Sequence, residues 1–254
     1  MQHDVVGLRD FYHKPLGGIV RRLLTQRIRT RWRSARGRQL VGLGFAVPYI
    51  GAFREEADTL AALMPAHQGA LVWPQSGDVL SVLVDEVMLP LPDASVDLLL
   101  CVHCLEVAES TRPMLREMWR VLAPEGRLLL IVPNRRGLWA RFDTTPFGHG
   151  RPYSRGQLER LLADSLFTPL EWTSALYMPP LNREWAVRWA TVFERVGARL
   201  WPGFAGVIIV EARKELMGAL PKTVPAKGKR QPVAASLSPR VPSPRAIGSV
   251  WQGW

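Results

Sequence analysis

Residues 82 to 134 read VLVDEVMLPLPDASVDLLLCVHCLEVAESTRPMLREMWRVLAPEGRLLLIVPN, and they decide the fold. The run 96–102 is apolar except for Asp97, and 127–132 is a second run rich in Leu and Ile. Continuous apolar runs suit strands buried on both faces, as in a parallel sheet. Between them Leu115, Met118, Trp119 and Leu122 fall at i, i+3, i+4 and i+7, which makes one apolar face of a helix. Ser110 or Thr111 can cap that helix, Pro113 sits in its first turn, and Ala123-Pro124-Glu125-Gly126 ends it. Strand, crossover helix and strand make a βαβ unit, for which a right-handed connection is expected.

The same stretch carries Asp85-x-x-x-Leu89-Pro90-x-Pro92-Asp93-x-Ser95-x-Asp97, then His103-x-Leu105-Glu106. Next come Leu115-Arg116-Glu117-x-x-Arg120-Val121-Leu122-x-Pro124-x-Gly126-Arg127 and Pro133-Asn134. In order and spacing this resembles the class I S-adenosylmethionine-dependent methyltransferases, in particular the type 11 methyltransferase domain. The resemblance implies a Rossmann-like, doubly wound α/β fold with a mostly parallel seven-stranded sheet and an antiparallel last strand. It implies S-adenosylmethionine as cofactor and methyl transfer to a small molecule as activity.

Working toward the N-terminus, 39–46 (QLVGLGFA) is a first strand and turn, where the family places a glycine-rich loop of the form D/E-x-G-x-G-x-G. Such a loop lets the backbone approach the cofactor at a helix N-terminus. Gly44 matches the first glycine, Gly42 stands where the acid would be, and Ala46 and Pro48 occupy the next two glycine positions. A helix is expected over 49–64, a second strand over 70–74 and a third over 79–84. The resemblance assigns the cofactor to Gly42, Gly44, Ala46, Trp73, Asp85, Glu86, Val87, Met88 and His103. Asp85 would hold the adenine amino group and Met88 would flank the ring. Trp73 stands where a ribose-binding carboxylate is expected, and either stacks on adenine or packs in the core. His103, at the end of the fourth strand, is the candidate general base. Asp97, inside a buried strand, is expected to be paired and structural.

Working toward the C-terminus, 134–154 is a long loop dense in Gly, Pro, aromatics and Arg. Loops of that length in a compact domain are usually functional. Arg136, Trp139, Arg141, His149, Arg151 and Tyr153, joined by Tyr12 from the N-terminal segment, are the candidate acceptor-binding set, suited to an anionic substrate. A surface connector is the alternative. Ser154-x-x-Gln157 is a capping box. A sixth strand over 167–176, a helix over 182–200 and a last strand over 204–212 complete the count.

Charge is concentrated at the flanks. The net charge is +11, yet residues 19–38 hold eight Arg and no acid, and 216–254 hold six cations and no acid. Three regions are expected: a basic helical extension (1–36), a methyltransferase-like domain (37–215) and a disordered, basic, Pro-rich tail (216–254). Ile19, Leu23, Leu24, Ile28 and Trp32 form a stripe on the first region. Its helix either touches an anionic surface, RNA or membrane, or packs on the domain as a lid. Cys101-x-x-Cys104 with His103 is one CxxC without a partner pair, so no metal centre is expected. No apolar run approaches a membrane span and no signal peptide is apparent, so a cytoplasmic location is expected. Two functions remain open: a methyltransferase, or a methyltransferase-like protein that binds partners without catalysis.

Overall fold

The computed structural model describes residues 4–182 and 188–215. The chain opens with two helices, α1 (Val5–His13) and α2 (Pro15–Arg31). A sheet follows, built from β1 (Gln39–Gly44), β2 (Thr59–Pro65), β3 (Ser81–Val84), β4 (Val96–Val102), β5 (Leu122–Pro133), β6 (Phe167–Ala175) and β7 (Val207–Lys214). The connecting helices are α3 (Val47–Ile50), α4 (Thr111–Val121), α5 (Arg155–Asp164) and α6 (Ala190–Leu200). Strand order is β3-β2-β1-β4-β5-β7-β6. The first five are parallel, and β7 runs antiparallel between β5 and β6. This is the seven-stranded, mostly parallel, doubly wound architecture expected from the sequence.

Side-chain alternation divides the core into two layers. Leu98, Leu100 and Val102 of β4 join Leu129, Ile131 and Ile209 under α1, α2 and α3. Leu99 and Cys101 join Leu128, Leu130 and Val210 on the other face, under α4 and α5. Period-two geometry thus turns one unbroken apolar run into two buried faces. The apolar side of α4 is buried through Met114, Leu115, Met118 and Val121. The capping box forms as read: Ser154 accepts from the Gln157 N–H, and the Gln157 side chain accepts from the Ser154 N–H. Asp97 accepts from the Gln39 N–H at 2.8 Å and faces Arg38 at 3.7 Å, a structural role.

Three sequence expectations are corrected. Residues 49–64 are not one helix: α3 is four residues long, a 3₁₀ turn follows, and 59–65 is strand β2. Its apolar run Leu60-Ala61-Ala62-Leu63-Met64 is short enough to suit either state, and parallel pairing with β1, Leu40 opposite Leu60, settles it as strand. Residues 70–74 are accordingly irregular, tied to the start of β3 by Trp73 N–H to Ser81 Oγ (3.0 Å) and Leu80 N–H to the Trp73 carbonyl (2.7 Å). The last strand is shifted to 207–214, and the helix expected over 182–200 is described from Ala190, with 183–187 outside the described residues. The tail expected to be disordered, 216–254, also lies outside them.

Because α3 is so short, the β1–β2 crossover cannot cover a sheet face, and the N-terminal helices do so. The stripe of α2 packs inward, burying Leu16, Ile19, Val20, Leu23, Leu24 and Ile28, with Trp32 beyond its end. At about 1.5–3 kcal/mol each, these six aliphatic side chains contribute roughly 9–18 kcal/mol as an upper bound. Trp32 Nε1 donates to Glu211 Oε1 at 3.2 Å, joining the end of this segment to β7. Of the two uses open to the stripe, packing on the domain is the one found. The Arg side chains stay at the rim, where Arg29 donates to Glu56 at 3.0 Å and its guanidinium lies 4.0 Å over the Phe53 ring.

Candidate functional site

In open α/β sheets, ligands bind outside the carboxyl ends of the strands where strand order reverses. Here that point lies between β1 and β4. The loop after β1 is held tightly there. Gly44 has φ +82°, and a Cβ on it would lie 2.3 Å from the Val102 carbonyl oxygen. The Phe45 N–H donates to that same oxygen at 2.9 Å. Only glycine tolerates both the dihedral and the approach. Gly42 is explained by packing: a Cβ on it would meet the Ala46 Cβ at 2.7 Å.

Above this loop the crevice is filled by the chain's own side chains. Tyr12, from α1, reaches down so that its hydroxyl lies 2.6 Å from the Tyr49 hydroxyl and 2.7 Å from His103 Nε2. Its ring stacks on Phe45 at 5.7 Å between centroids. Phe147, from the loop after β5, packs on His103 at 4.7 Å, and Trp139 meets Phe147 edge-on at 5.6 Å. Gln68 donates from its side-chain amide to the His103 carbonyl, and its own carbonyl accepts from Val5 N–H at 2.7 Å, which pins the start of α1. Tyr12, Phe45, Tyr49, Gln68, His103, Trp139 and Phe147 are all buried. Burial pushes the Tyr12 phenol well above its ordinary value, with Tyr49 and Glu106 adding to it.

His103 itself has φ +52° and is wholly buried. Glu106, one turn on, faces His103 Nδ1 at 3.4 Å, and both of its carboxylate oxygens lack a hydrogen-bond partner among the described residues. Cys101 and Cys104 are buried free thiols, and a hydrogen bond with Cys101 together with burial holds the Cys104 thiol up. Among the described residues no group of three His, Cys, Asp or Glu could hold a metal ion.

The second half of the crevice is open. Ala66, His67, Asp85, Glu86, Val87, Glu109, Ser110 and Pro113 line a cleft of about 400 Å³ at the ends of β2 and β3. Asp85 is exposed and caps its own turn, accepting from the Val87 N–H at 2.9 Å. Glu86 is buried and accepts from His67 Nδ1 at 3.1 Å. Met88 is exposed, and Leu89 behind it is buried. Arg120 fixes the loop by donating to the Leu89 and Leu91 carbonyls and to Glu117 and Asp93.

The expected cofactor set is therefore brought together in part. Asp85, Glu86 and Val87 line an open cleft with Met88 exposed next to them, whereas His103 lies against Tyr12 with Gly44 beside it, and Gly42 of β1 and Ala46 of the loop after it pack on each other. Trp73 packs against the core beside Gly51, away from that cleft. The expected acceptor set is dispersed. Tyr12 and Trp139 are core residues, and the Trp139 indole N–H donates to the Met178 carbonyl at 2.8 Å. His149 Nε2 lies 2.9 Å from the Asp143 carbonyl oxygen inside its own loop. Arg136 lines a cavity of about 630 Å³ with Arg27, Arg155 and Trp172. Arg151 and Tyr153 line a separate depression with Arg135 and Arg160. Arg141 is exposed and lines neither. Burial pushes the Tyr153 phenol up to about 12, with Glu106 adding to it. Sequence reasoning missed Gln68, Tyr49 and Phe147, whose contacts with His103 and Tyr12 join distant parts of the chain.

Tested against this geometry, S-adenosylmethionine fits at one end only. The cleft by Asp85 and Glu86, about 400 Å³, has room for a nucleoside. The space between the β1 loop and the end of β4, where a methionine chain would lie, is occupied by Tyr12 and the rings around it.

Comparison with known families matches residues 53–130 to the methyltransferase domain family. Solved structures with the same fold include the methyltransferase from the Haloferax volcanii complex with the Trm112 methyltransferase activator, at 17% identity, TM-score 0.57, and coverage of 79% of this chain and 94% of that one. An S-adenosylmethionine-dependent methyltransferase of Thermotoga maritima gives 15%, 0.56, 82% and 94%. One of Archaeoglobus fulgidus gives 17%, 0.55, 76% and 94%. Comparison with curated proteins finds no match. The methyltransferase domain implies S-adenosylmethionine as its cofactor.

Proposed function

We propose, from the premise that this chain carries the class I S-adenosylmethionine-dependent methyltransferase fold, that it is a methyltransferase whose cofactor site is closed by its own α1 helix. The observation that carries this reading is the division of the crevice: an open cleft at Asp85 and Glu86, and a methionine end filled by Tyr12. In this reading Asp85 and the backbone of 85–88 hold the nucleoside, and displacement of α1 frees the space above Gly44. The Haloferax structure pairs its methyltransferase with an activator protein, Trm112, and a protein partner is one way of supplying that displacement here. The acceptor in this reading is a small molecule.

A second reading is favoured by the same Tyr12 contact. The chain is then a binding protein that keeps the fold and has lost the cofactor. Equilibrium binding of S-adenosylhomocysteine to Tyr12→Ala, and to Tyr12→Ala combined with Asp85→Ala, separates the two. Binding by the first variant that is lost in the second supports the methyltransferase. Absence of binding in both, with folding verified by circular dichroism, supports the binding protein.

A further inference from the structure

We propose that α6 and the turn after it form a docking surface for an anionic lipid bilayer, a function independent of the crevice. Helix α6 faces the protein through Ala190, Glu194 and Gly197, spaced i, i+4 and i+7. Its outward side carries Trp189, Val192, Val196 and Leu200, at i, i+3, i+7 and i+11, with Trp201 and Phe204 just beyond. These six large apolar side chains are 41% to 64% exposed. A soluble surface tolerates scattered apolar residues, but a continuous stripe ending in two aromatics marks an interaction site.

Charge identifies the occupant. Arg188, Arg195 and Arg199 flank the stripe and are exposed, whereas the single acid of this helix, Glu194, is turned inward and buried. A groove lined by Leu23, Gln26, Arg27, Thr30, Thr191, Glu194, Arg195 and Ala198 joins α6 to α2. The exposed charges of α2 and its junction with α1, Lys14, Arg21 and Arg22, are again all positive. A helix with Trp, Phe, Leu and Val on one side and arginines along its edge lies in a membrane interface, its apolar side among the acyl chains and its cations at the headgroups. An apolar protein groove would bind the stripe without using the arginines, and nucleic acid would use the arginines without the stripe. The anionic bilayer uses both. The apolar stripe of α2 plays no part, since it is buried in the core.

The test is co-sedimentation of the full chain with vesicles of phosphatidylcholine alone and of phosphatidylcholine with phosphatidylglycerol. The expected result is binding to the anionic vesicles that weakens with salt. Val196→Asp with Leu200→Asp, both at exposed positions, should lower the partition constant by about tenfold or more. Arg188→Gln, Arg195→Gln and Arg199→Gln together should remove the preference for anionic vesicles. Three outcomes overturn the proposal. One is no vesicle binding by the native chain. Another is equal binding by native and aspartate variants, which would place the anchor elsewhere. The third is conversion of a dimer to a monomer by the aspartate substitutions without any vesicle binding, which would make the stripe a contact between two copies. Circular dichroism of each variant verifies that it is folded.

Discussion

Replacing Tyr12 by alanine tests the closed crevice most directly. In the native chain, a cofactor that needs the space above Gly44 must displace α1, which buries Val5, Leu8, Phe11 and Tyr12. At roughly 1.5–3 kcal/mol per side chain, displacement costs roughly 6–12 kcal/mol. A site of micromolar intrinsic affinity supplies about 8 kcal/mol. Since each 1.4 kcal/mol is tenfold, closure weakens apparent binding by about four to nine decades, from micromolar to about 10 mM or weaker. Tyr12→Ala removes the ring and leaves α1 in place. The loss of packing, and of hydrogen bonds to Tyr49 and His103, costs about 3–5 kcal/mol, which lowers the melting temperature by roughly 10 °C. S-adenosylhomocysteine at about 100 times its dissociation constant then restores ~2.7 kcal/mol, or roughly 5–10 °C. Thermal unfolding of native chain, Tyr12→Ala and Tyr12→Phe, each with and without 1 mM ligand (about the level at which closure alone would still prevent binding), gives the answer. A response in the alanine variant alone supports the argument. A native chain stabilised as strongly as Tyr12→Ala refutes it, because the helix would then offer no barrier.

Other consequences are equally measurable. Gly44→Ala should cost several kcal/mol, about 1–2 for the left-handed dihedral and more for the approach to Val102, seen as a lower urea midpoint. Arg120→Ala should cost about 1–3 kcal/mol by leaving the Leu89 and Leu91 carbonyls and Glu117 without their donor. Hydrogen bonding to Arg120, opposed by burial, holds the Glu117 carboxyl below its ordinary value. Its stabilising contribution is therefore present above the ordinary carboxylate range and lost as pH falls through the lowered value. Melting temperatures of the Arg120→Ala variant should accordingly fall less steeply in acid than those of the native chain. Burial holds the Glu194 carboxyl above its ordinary value, opposed chiefly by the Tyr177 N–H. Its contribution is complete below the ordinary carboxylate range and is lost as pH rises through the raised value. Glu194→Gln should raise the melting temperature at pH 8 and leave it unchanged at pH 4.

The parts of the molecule that were legible in sequence are those fixed by local pattern. The 96–102 and 127–132 runs and the Ser154 box each carry their own signal and form where that signal places them. Helix α4 is amphipathic as read, but it buries Met114, Leu115, Met118 and Val121 and ends at Val121, so that Leu122, read as part of its apolar face, opens β5 instead. The 59–65 strand was illegible because seven residues with Ala and Leu at their centre satisfy two periods, and only pairing with β1 selects one. The closure of the crevice had no local signature at all. Tyr12 meets His103 across 91 residues and Gln68 meets it across 35, so the decisive contacts belong to the tertiary structure. The loop after β5 misled for a related reason: Trp139 and Phe147 have the composition of a ligand pocket, and aromatics fill a core by the same attraction.

The bond between Trp32 and Glu211 spans 179 residues and has a consequence for how the protein is made. Synthesis delivers α1 and α2 first, yet the strands they cover include β4, β5 and β7, the last of which ends at Lys214. Until β4 and β5 are complete at Pro133 the growing chain carries Leu16, Ile19, Leu23, Leu24 and Ile28 without the strands that bury them, and the β7 part of that surface is added only at Lys214. The N-terminal layer is therefore expected to complete late, once β7 has paired, with its apolar face prone to aggregation until then.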